Sequence, residues 1–438
     1  MITLKAFLFS AHSAFILVIP NTPMNIWLIL ILFILVFSFT LEAVISYLNL
    51  KSLTPTLPEE FENIYDQTKY GHSQKYAATT IKFSLLENGF STGITLLFLL
   101  LGGFNIVDVW ARNFGYGEII TGLIFCGILI FLSVLSTLPF SIYSTFIIEE
   151  KFGFNRTTVK TFILDIIKAS LLFLILGAPL LALLLWFFMS TGAYGWFYCW
   201  VGLFLFTLLM QFLAPTVIMP LFNKFSPIED GLLKKDILSY ADQENFKIQG
   251  IYTMDGSKRS SKLNAFFTGF GKFRKIVFYD TLLEKLDNYE IIAVLAHEMG
   301  HFKLRHILKM LAGNAIQTGI MFYLLSLFLE NRSLAEAFQM DNISIYSSLI
   351  FFGFIYSPVS MLVSILFNAL SRKHEYAADQ YAAETTGKPE MLIRGLKKLA
   401  VANLSNLTPH PLHVFLHYSH PSVLMRIKKL RQFTMDVQ

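Results

Sequence analysis

Cysteine is scarce in this chain: Cys126 and Cys199 are the only two among 438 residues, and each sits inside a long apolar run. Neither a disulfide framework nor a cysteine metal site can be built from them. Charge is scarce too. Asp, Glu, Lys and Arg make up 15% of the residues against 54% apolar, and the mean hydropathy is +0.56. That balance excludes an ordinary soluble enzyme and makes the lipid bilayer the first partner. No internal repeat or low-complexity linker is visible. A net charge of +5 reads here as a record of cytoplasmic loops rather than as a nucleic-acid footprint.

What is present is a series of long apolar runs, each reaching the roughly 20 residues that cross about 30 Å of hydrocarbon. They lie near 25–48, 90–110, 119–146, 161–188, 194–218, 307–330 and 345–370, which predicts seven transmembrane helices. A shorter run, Ala6–Pro20, is broken by His12 and Ser13 and reads as a signal-like or interfacial segment, or as an extension of the first span. With alternating spans and the amino terminus outside, 30 Lys/Arg fall on inner segments, and only Lys5, Arg112 and Arg332 fall on outer ones. The bias places the carboxyl terminus in the cytoplasm. The chain then divides into a membrane region with five spans (1–221), a polar segment (222–306), a two-span hairpin (307–370) and a polar tail (371–438). Both polar pieces emerge on one face and can form one domain, with strands expected near "GIYTMD", "NAFFTGF" and "KIVFYD" and a helix starting near Asn288.

That helix carries His297-Glu298-Met299-Gly300-His301, an H-E-x-x-H motif. One turn apart and about 40° around the axis, the two imidazoles can reach one ion, while Glu298 points at its open side. A catalytic zinc takes a third protein ligand. The candidate is Glu375 in "SRKHEYAADQYA", with Asp379 one turn on, able to accept a hydrogen bond from a ligating imidazole. The bland alternative for this pair is a solvated helix face. Extending the helix puts His306 about 180° from His297 and excludes it from the same ion, and His374 is expected at the surface. The histidines at 410, 413, 417 and 420 resemble a second metal cluster, but Pro411 and Pro421 limit any helix there.

In order along the chain, "FIIEEKFGFNRTT", "SKRSSKLNAFFTGFG", "LAHEMGHF", "SRKHEYAADQYA" and "HYSHPSVLMRI" resemble the type I CAAX prenyl endopeptidases, integral-membrane zinc metalloproteases. The resemblance implies an all-α polytopic membrane protein: seven helices around a large water-filled chamber, with a small α+β zinc metalloprotease domain on the cytoplasmic side. It implies zinc ligation by His297, His301 and Glu375, Asp379 as the acid behind a ligand, and His420 as the histidine that steadies the tetrahedral intermediate. It also implies an edge strand, with Asn264, Ala265 and Phe266, against which a substrate peptide lies. The short loop after Glu330 and the lack of a terminal retrieval signal lead us to expect a bacterial member in an inner membrane.

The expected activity is therefore zinc-dependent endopeptidase cleavage near the C-terminus of a peptide or protein substrate, prenylated in the CAAX manner. Glu298 serves as general base, and His420 and Asn264 donate to the developing oxyanion. One rival is a membrane quality-control metalloprotease with no prenyl requirement. The other is a non-hydrolytic zinc-stabilised scaffold or transporter, which would have no use for Glu298.

Overall fold

The structure, a computed structural model, describes residues 25–268 and 275–436; the run 6–20 lies outside them. In chain order the first helices are α1 (Ile26–Lys51), α2 (Gln67–Leu100), the short α3 (Gly103–Arg112), α4 (Glu118–Glu149), α5 (Val159–Ser190) and α6 (Gly192–Phe222). Then come β1 (Phe225–Pro227), α7 (Leu232–Gln243), β2 (Gly250–Met254), β3 (Ala265–Thr268) and β4 (Lys275–Tyr279). They are followed by α8 (Asn288–Lys303), α9 (His306–Ser326), α10 (Arg332–Ala337), α11 (Ile345–Thr386), α12 (Pro389–Ala402), α13 (Pro411–His417) and α14 (Val423–Asp436).

Among the described residues six helices are long and apolar enough to cross a bilayer: α1, α2, α4, α5, α6 and α11. Of these, α1, α2 and α5 start where a side chain satisfies a free N–H group of the first turn. Asn25 Oδ1 accepts from Trp27 N at 2.9 Å, Asp66 Oδ1 from Lys69 N at 2.8 Å, and Thr158 Oγ1 from Thr161 N at 3.1 Å. Large apolar side chains such as Phe33, Leu97, Leu205 and Leu366 point outward, as lipid-facing residues do.

Two spans differ from the sequence expectation. The apolar run at 90–110 is not one helix: α2 ends at Leu100, Gly102 adopts φ +70°, and α3 turns away, burying Phe104, Val107 and Ala111. Two adjacent glycines, Gly102 and Gly103, allow that corner. The seventh expected span appears as α9, a continuous helix of 21 residues that is not among the six. Lys309, Asn314 and Gln317 interrupt its apolarity.

The polar pieces assemble around a four-stranded sheet in the order β1-β2-β4-β3. The β2/β4 pair is parallel, whereas β1/β2 and β3/β4 are antiparallel, with Ala265 opposite Phe278 and Thr268 opposite Lys275. The three expected strands are present; β1, three residues long and ending in a proline, gave no alternation to read. Its place at an edge is where a proline can be accommodated. β3 forms the other edge. Beneath the sheet, Leu295, Ala296 and Met299 of α8 pack with Ile276, Phe278, Leu392, Ile393 and Ile427 in one continuous core.

α11 is 42 residues long, about 63 Å at 1.5 Å per residue. One rigid element therefore crosses the apolar zone and continues into the protease domain. It meets α8 at Gly300, where an added Cβ would lie 3.1 Å from Ala378 Cα. This close approach delivers a carboxylate to the two histidines.

Candidate active site

α8 opens with a capping box: Asp287 Oδ1 accepts from Glu290 N at 3.0 Å, and Glu290 Oε2 accepts from Asp287 N at 2.9 Å. Three turns on, the Nε2 atoms of His297 and His301 lie 3.2 Å apart. From α11, Glu375 Oε1 comes within 3.1 Å of His301 Nε2, and Oε2 within 3.5 Å of His297 Nε2. An ion held tetrahedrally at about 2.0–2.1 Å sets its ligand atoms roughly 3.4 Å apart, so the three donors fit one ion. Glu375 Oε2 is buried without a hydrogen bond, a lone pair kept for a cation.

Behind the ligands lies a charged relay. Asp379 Oδ1 is 2.8 Å from His297 Nδ1, which fixes the proton there and leaves Nε2 free to ligate. Arg426, reaching in from α14, donates to Asp379 through Nε at 2.8 Å and Nη2 at 2.5 Å, and its Nη1 lies 3.4 Å from Glu375 Oε2. Burial and the nearby guanidinium disfavour a charged His297, while the carboxylates of Asp379 and Glu375 favour positive charge there, a charge that a bound cation would supply in place of the second proton. The same two acids hold the buried Arg426 firmly charged against its desolvation.

Arg426 gave no sequence signal as a partner, standing 47 residues from Asp379. His306 was misread. α8 stops at Lys303, Arg305 adopts φ +57°, and α9 starts afresh, so the extended helical wheel does not apply. The Nδ1 atoms of His306 and His301 lie 3.1 Å apart. His306 thus stays outside the group that could hold an ion but contacts the nitrogen of His301 that faces away from it. His374, expected at the surface, is buried and stacks on His306 with ring centroids 4.0 Å apart.

A cavity of about 300 Å³ brings Asn264, Ala265, His297, Glu298, His301, Glu375 and His420 onto one wall system. A second, of about 390 Å³, shares Glu298 and His301 and extends between α6 and α9 past Gln211 and Asn314. Glu298 faces both. His420 Nε2 lies 3.4 Å from Glu375 Oε1, on the open side of the site. Phe266 lines neither cavity and sets its ring edge-on to Tyr279. The other histidines do not converge: His410 Nδ1 caps α13, His413 packs on the rings of His417 and Tyr418, and His417 Nε2 lies 3.2 Å from Glu42 Oε2.

The edge strand is buttressed by residues distant in sequence. Asn403 Oδ1 accepts from Leu263 N at 2.8 Å while its Nδ2 donates to Leu263 O at 3.1 Å. Lys262 Nζ meets Glu149 Oε2 and Tyr76 Oη, both at 2.9 Å. Gly153 O accepts from Ser261 Oγ at 2.9 Å, which docks the "EEKFGFN" loop onto this segment. Asp165, an acid within α5, is paired by Arg259 through both Nε and Nη2, while Lys168 donates to Leu221 O. Asp108 is fully buried between Tyr346 and Arg112.

Residues 46–224 match the family described as CAAX prenyl protease N-terminal, five membrane helices, and residues 227–434 match peptidase family M48. The chain is 34% identical to CAAX prenyl protease 1 of Saccharomyces cerevisiae, covering 94% of this chain and 96% of that one. It is 36% identical to the Dictyostelium discoideum homologue over 86% and 89% of the two chains. Against the crystal structure of S. mikatae Ste24p the TM-score is 0.88 at 34% identity, covering 94% of this chain and all of the other. These relatives are eukaryotic and lend the expected bacterial origin no support. With both halves matched in order, the chain belongs to the CAAX prenyl protease family, and it is a membrane metalloendopeptidase of peptidase family M48.

Proposed function

We propose that the protein is a zinc peptidase that cleaves peptides near their C-termini, prenylated CAAX-type chains among them. We place the cleavage in a water-filled chamber enclosed by seven spans, with the protease domain on the cytoplasmic side. The observation that carries the reading is the convergence of two imidazoles and one carboxylate at tetrahedral spacing, next to an unligated glutamate. Two imidazoles and a carboxylate suit zinc.

When bound, zinc supplies a Lewis acid that brings the pKa of water from near 16 to about 7 and polarises a carbonyl. Glu298 takes the proton from the attacking water and returns it to the leaving amine. His420 donates to the carbonyl oxygen as it gains charge, a contribution typically of about 3 kcal/mol. The substrate adds as a strand beside β3, held by main-chain hydrogen bonds. Asn264 and Ala265 line the cavity from that edge, whereas Phe266 offers only its backbone.

The hollow chamber is supported by how little the spans bury: none of the apolar stretch of α6 and 6% of that of α2. A packed bundle would cover far more. α9 as the seventh span is supported by the cavity onto which its Asn314 faces, together with Gln211 of α6, since polar groups at membrane depth need a wet or protein environment. The orientation rests on the 30-to-3 distribution of Lys/Arg.

Purified protein loaded with zinc and offered farnesylated and unmodified versions of one CAAX-terminated peptide tests this reading. Preferred cleavage of the farnesylated peptide supports the prenyl element. Equal rates leave a peptidase that reads main chain alone, as strand addition to β3 permits. No cleavage of either refutes the proposal.

A further inference from the structure

α13 lies beside the metal centre and leads directly into Tyr418, Ser419 and His420. His420 is exposed, with 64% of its side chain accessible, and its polar contacts among the described residues are Glu375 and the neighbouring Ser419 Oγ. Among the described residues these two contacts are all that the imidazole has to hold it over the reacting carbonyl. Its position has to be set through the backbone on either side.

The upstream hold comes from α11. Arg372 Nη1 donates to Tyr418 O at 2.6 Å and Val414 O at 3.1 Å, with Phe415 O at 3.5 Å. Val414 O also accepts from Tyr418 N at 3.2 Å, the last backbone bond of α13, so Arg372 adds a side-chain donor to the carbonyls at the end of that helix. One turn earlier on α11, Asn368 Nδ2 donates to Leu416 O at 2.9 Å. The downstream hold also ends on α11: α14 starts just after Ser422, and its Arg426 grips Asp379.

Residues 368, 372, 375 and 379 follow one another at spacings of four, three and four. That spacing puts them within about 60° on one face of a helix. A single ridge of α11 therefore presents, in order, the two groups that fix the strand ahead of His420, the metal carboxylate, and the acid that fixes the strand behind it.

We propose that Arg372, with Asn368, is a positioning residue for the reaction. It fixes the end of α13 to the helix that carries Glu375, and so sets His420 at a constant distance from the metal centre. The inference rests on the assignment of His420 to the oxyanion. Arg372 lines neither cavity, so its loss is expected to act on kcat and not on peptide binding.

The test is a double-mutant cycle on the full-length protein in detergent, using a quenched fluorescent CAAX-terminated peptide, with bound zinc and Tm recorded for each variant. His420→Ala is expected to lower kcat about 100-fold. Arg372→Ala is expected to lower kcat at least about tenfold with KM and zinc content unchanged, a loss of the size that a small misplacement produces. In the His420→Ala background, Arg372→Ala is expected to cost no more. Equal losses in both backgrounds, or no loss in the wild type, overturn the positioning role. If His420→Ala alone leaves kcat unchanged, the assignment of His420 falls first and the inference falls with it. Arg372→Lys, able to reach one carbonyl, repeats the cycle should the alanine variant not fold, with an intermediate loss confined to the wild-type background.

Discussion

The Nδ1 atoms of His301 and His306 face each other at 3.1 Å across the break between α8 and α9. A ligating imidazole must keep its proton on the nitrogen away from the metal, and in the proposed site a second histidine, rather than a carboxylate, stands where it can accept that proton's hydrogen bond. His306 is buried and backed by the ring of His374, so its orientation is fixed as well.

His306→Ala is accordingly expected to weaken metal binding about 10- to 100-fold, as loss of an orienting partner does, without removing a ligand. Competition of zinc against a chromophoric chelator measures it. An unchanged affinity would show that His306 only fills space.

Arg426→Met leaves Asp379, 1% exposed, without its guanidinium in the protein interior. Breaking a buried pair from one side costs about 3–5 kcal/mol, and His297 loses the fixed carboxylate that sets its tautomer. Thermal unfolding with and without added zinc should show lowered stability in both conditions. The Asp379→Asn, Arg426→Met double variant should recover part of it.

Gly300→Ala tests the crossing of the two helices. The new methyl would sit 3.1 Å from Ala378 Cα, a backbone atom that cannot turn aside. Overpacking of this kind costs roughly 1–3 kcal/mol, and it pushes Glu375 away from the histidines. Zinc affinity and Tm should therefore fall together.

Asn403→Ala removes both hydrogen bonds to Leu263 and loosens the start of the strand beside which the peptide is proposed to lie. KM should rise severalfold while kcat and zinc content hold. A fall in kcat at constant KM would assign Asn403 to the chemistry instead.

The Glu42–His417 contact carries a pH signature. The hydrogen bond to Glu42 raises the pKa of His417 and outweighs its burial. His410 and His413 are the other titratable neighbours on the same short segment. A raised folded-state value means the stabilisation is full below the ordinary histidine pKa and is lost as pH rises through the elevated one. The Tm difference between wild type and Glu42→Gln should thus be largest near about pH 6 and shrink toward about pH 9. A difference that grows with pH would refute the pairing.

Much of this site was legible in the sequence because helical periodicity is local: His297, Glu298 and His301 share a turn, as do Glu375 and Asp379. That the two turns meet depends on Gly300 and Ala378 being small, and no local pattern states which helices cross. The break at Arg305 was illegible for a similar reason, since an arginine in a left-handed conformation gives none of the warning that a glycine or proline gives. Gly102 and Gly103 did give it, in the middle of what hydropathy alone makes one span. The polar residues of α9 lower its apolarity, so composition and topology pull in opposite directions there. The grip of Arg372 on α13 is a contact between segments more than 40 residues apart, invisible until both are folded.

The most direct test of the central claim is Glu298→Gln, assayed for bound zinc and for peptide cleavage in the same preparation. The account predicts one zinc per chain, as in the wild type, with kcat reduced about 10²- to 10⁴-fold for loss of the general base. Cleavage at the wild-type rate, with zinc in place, would contradict it.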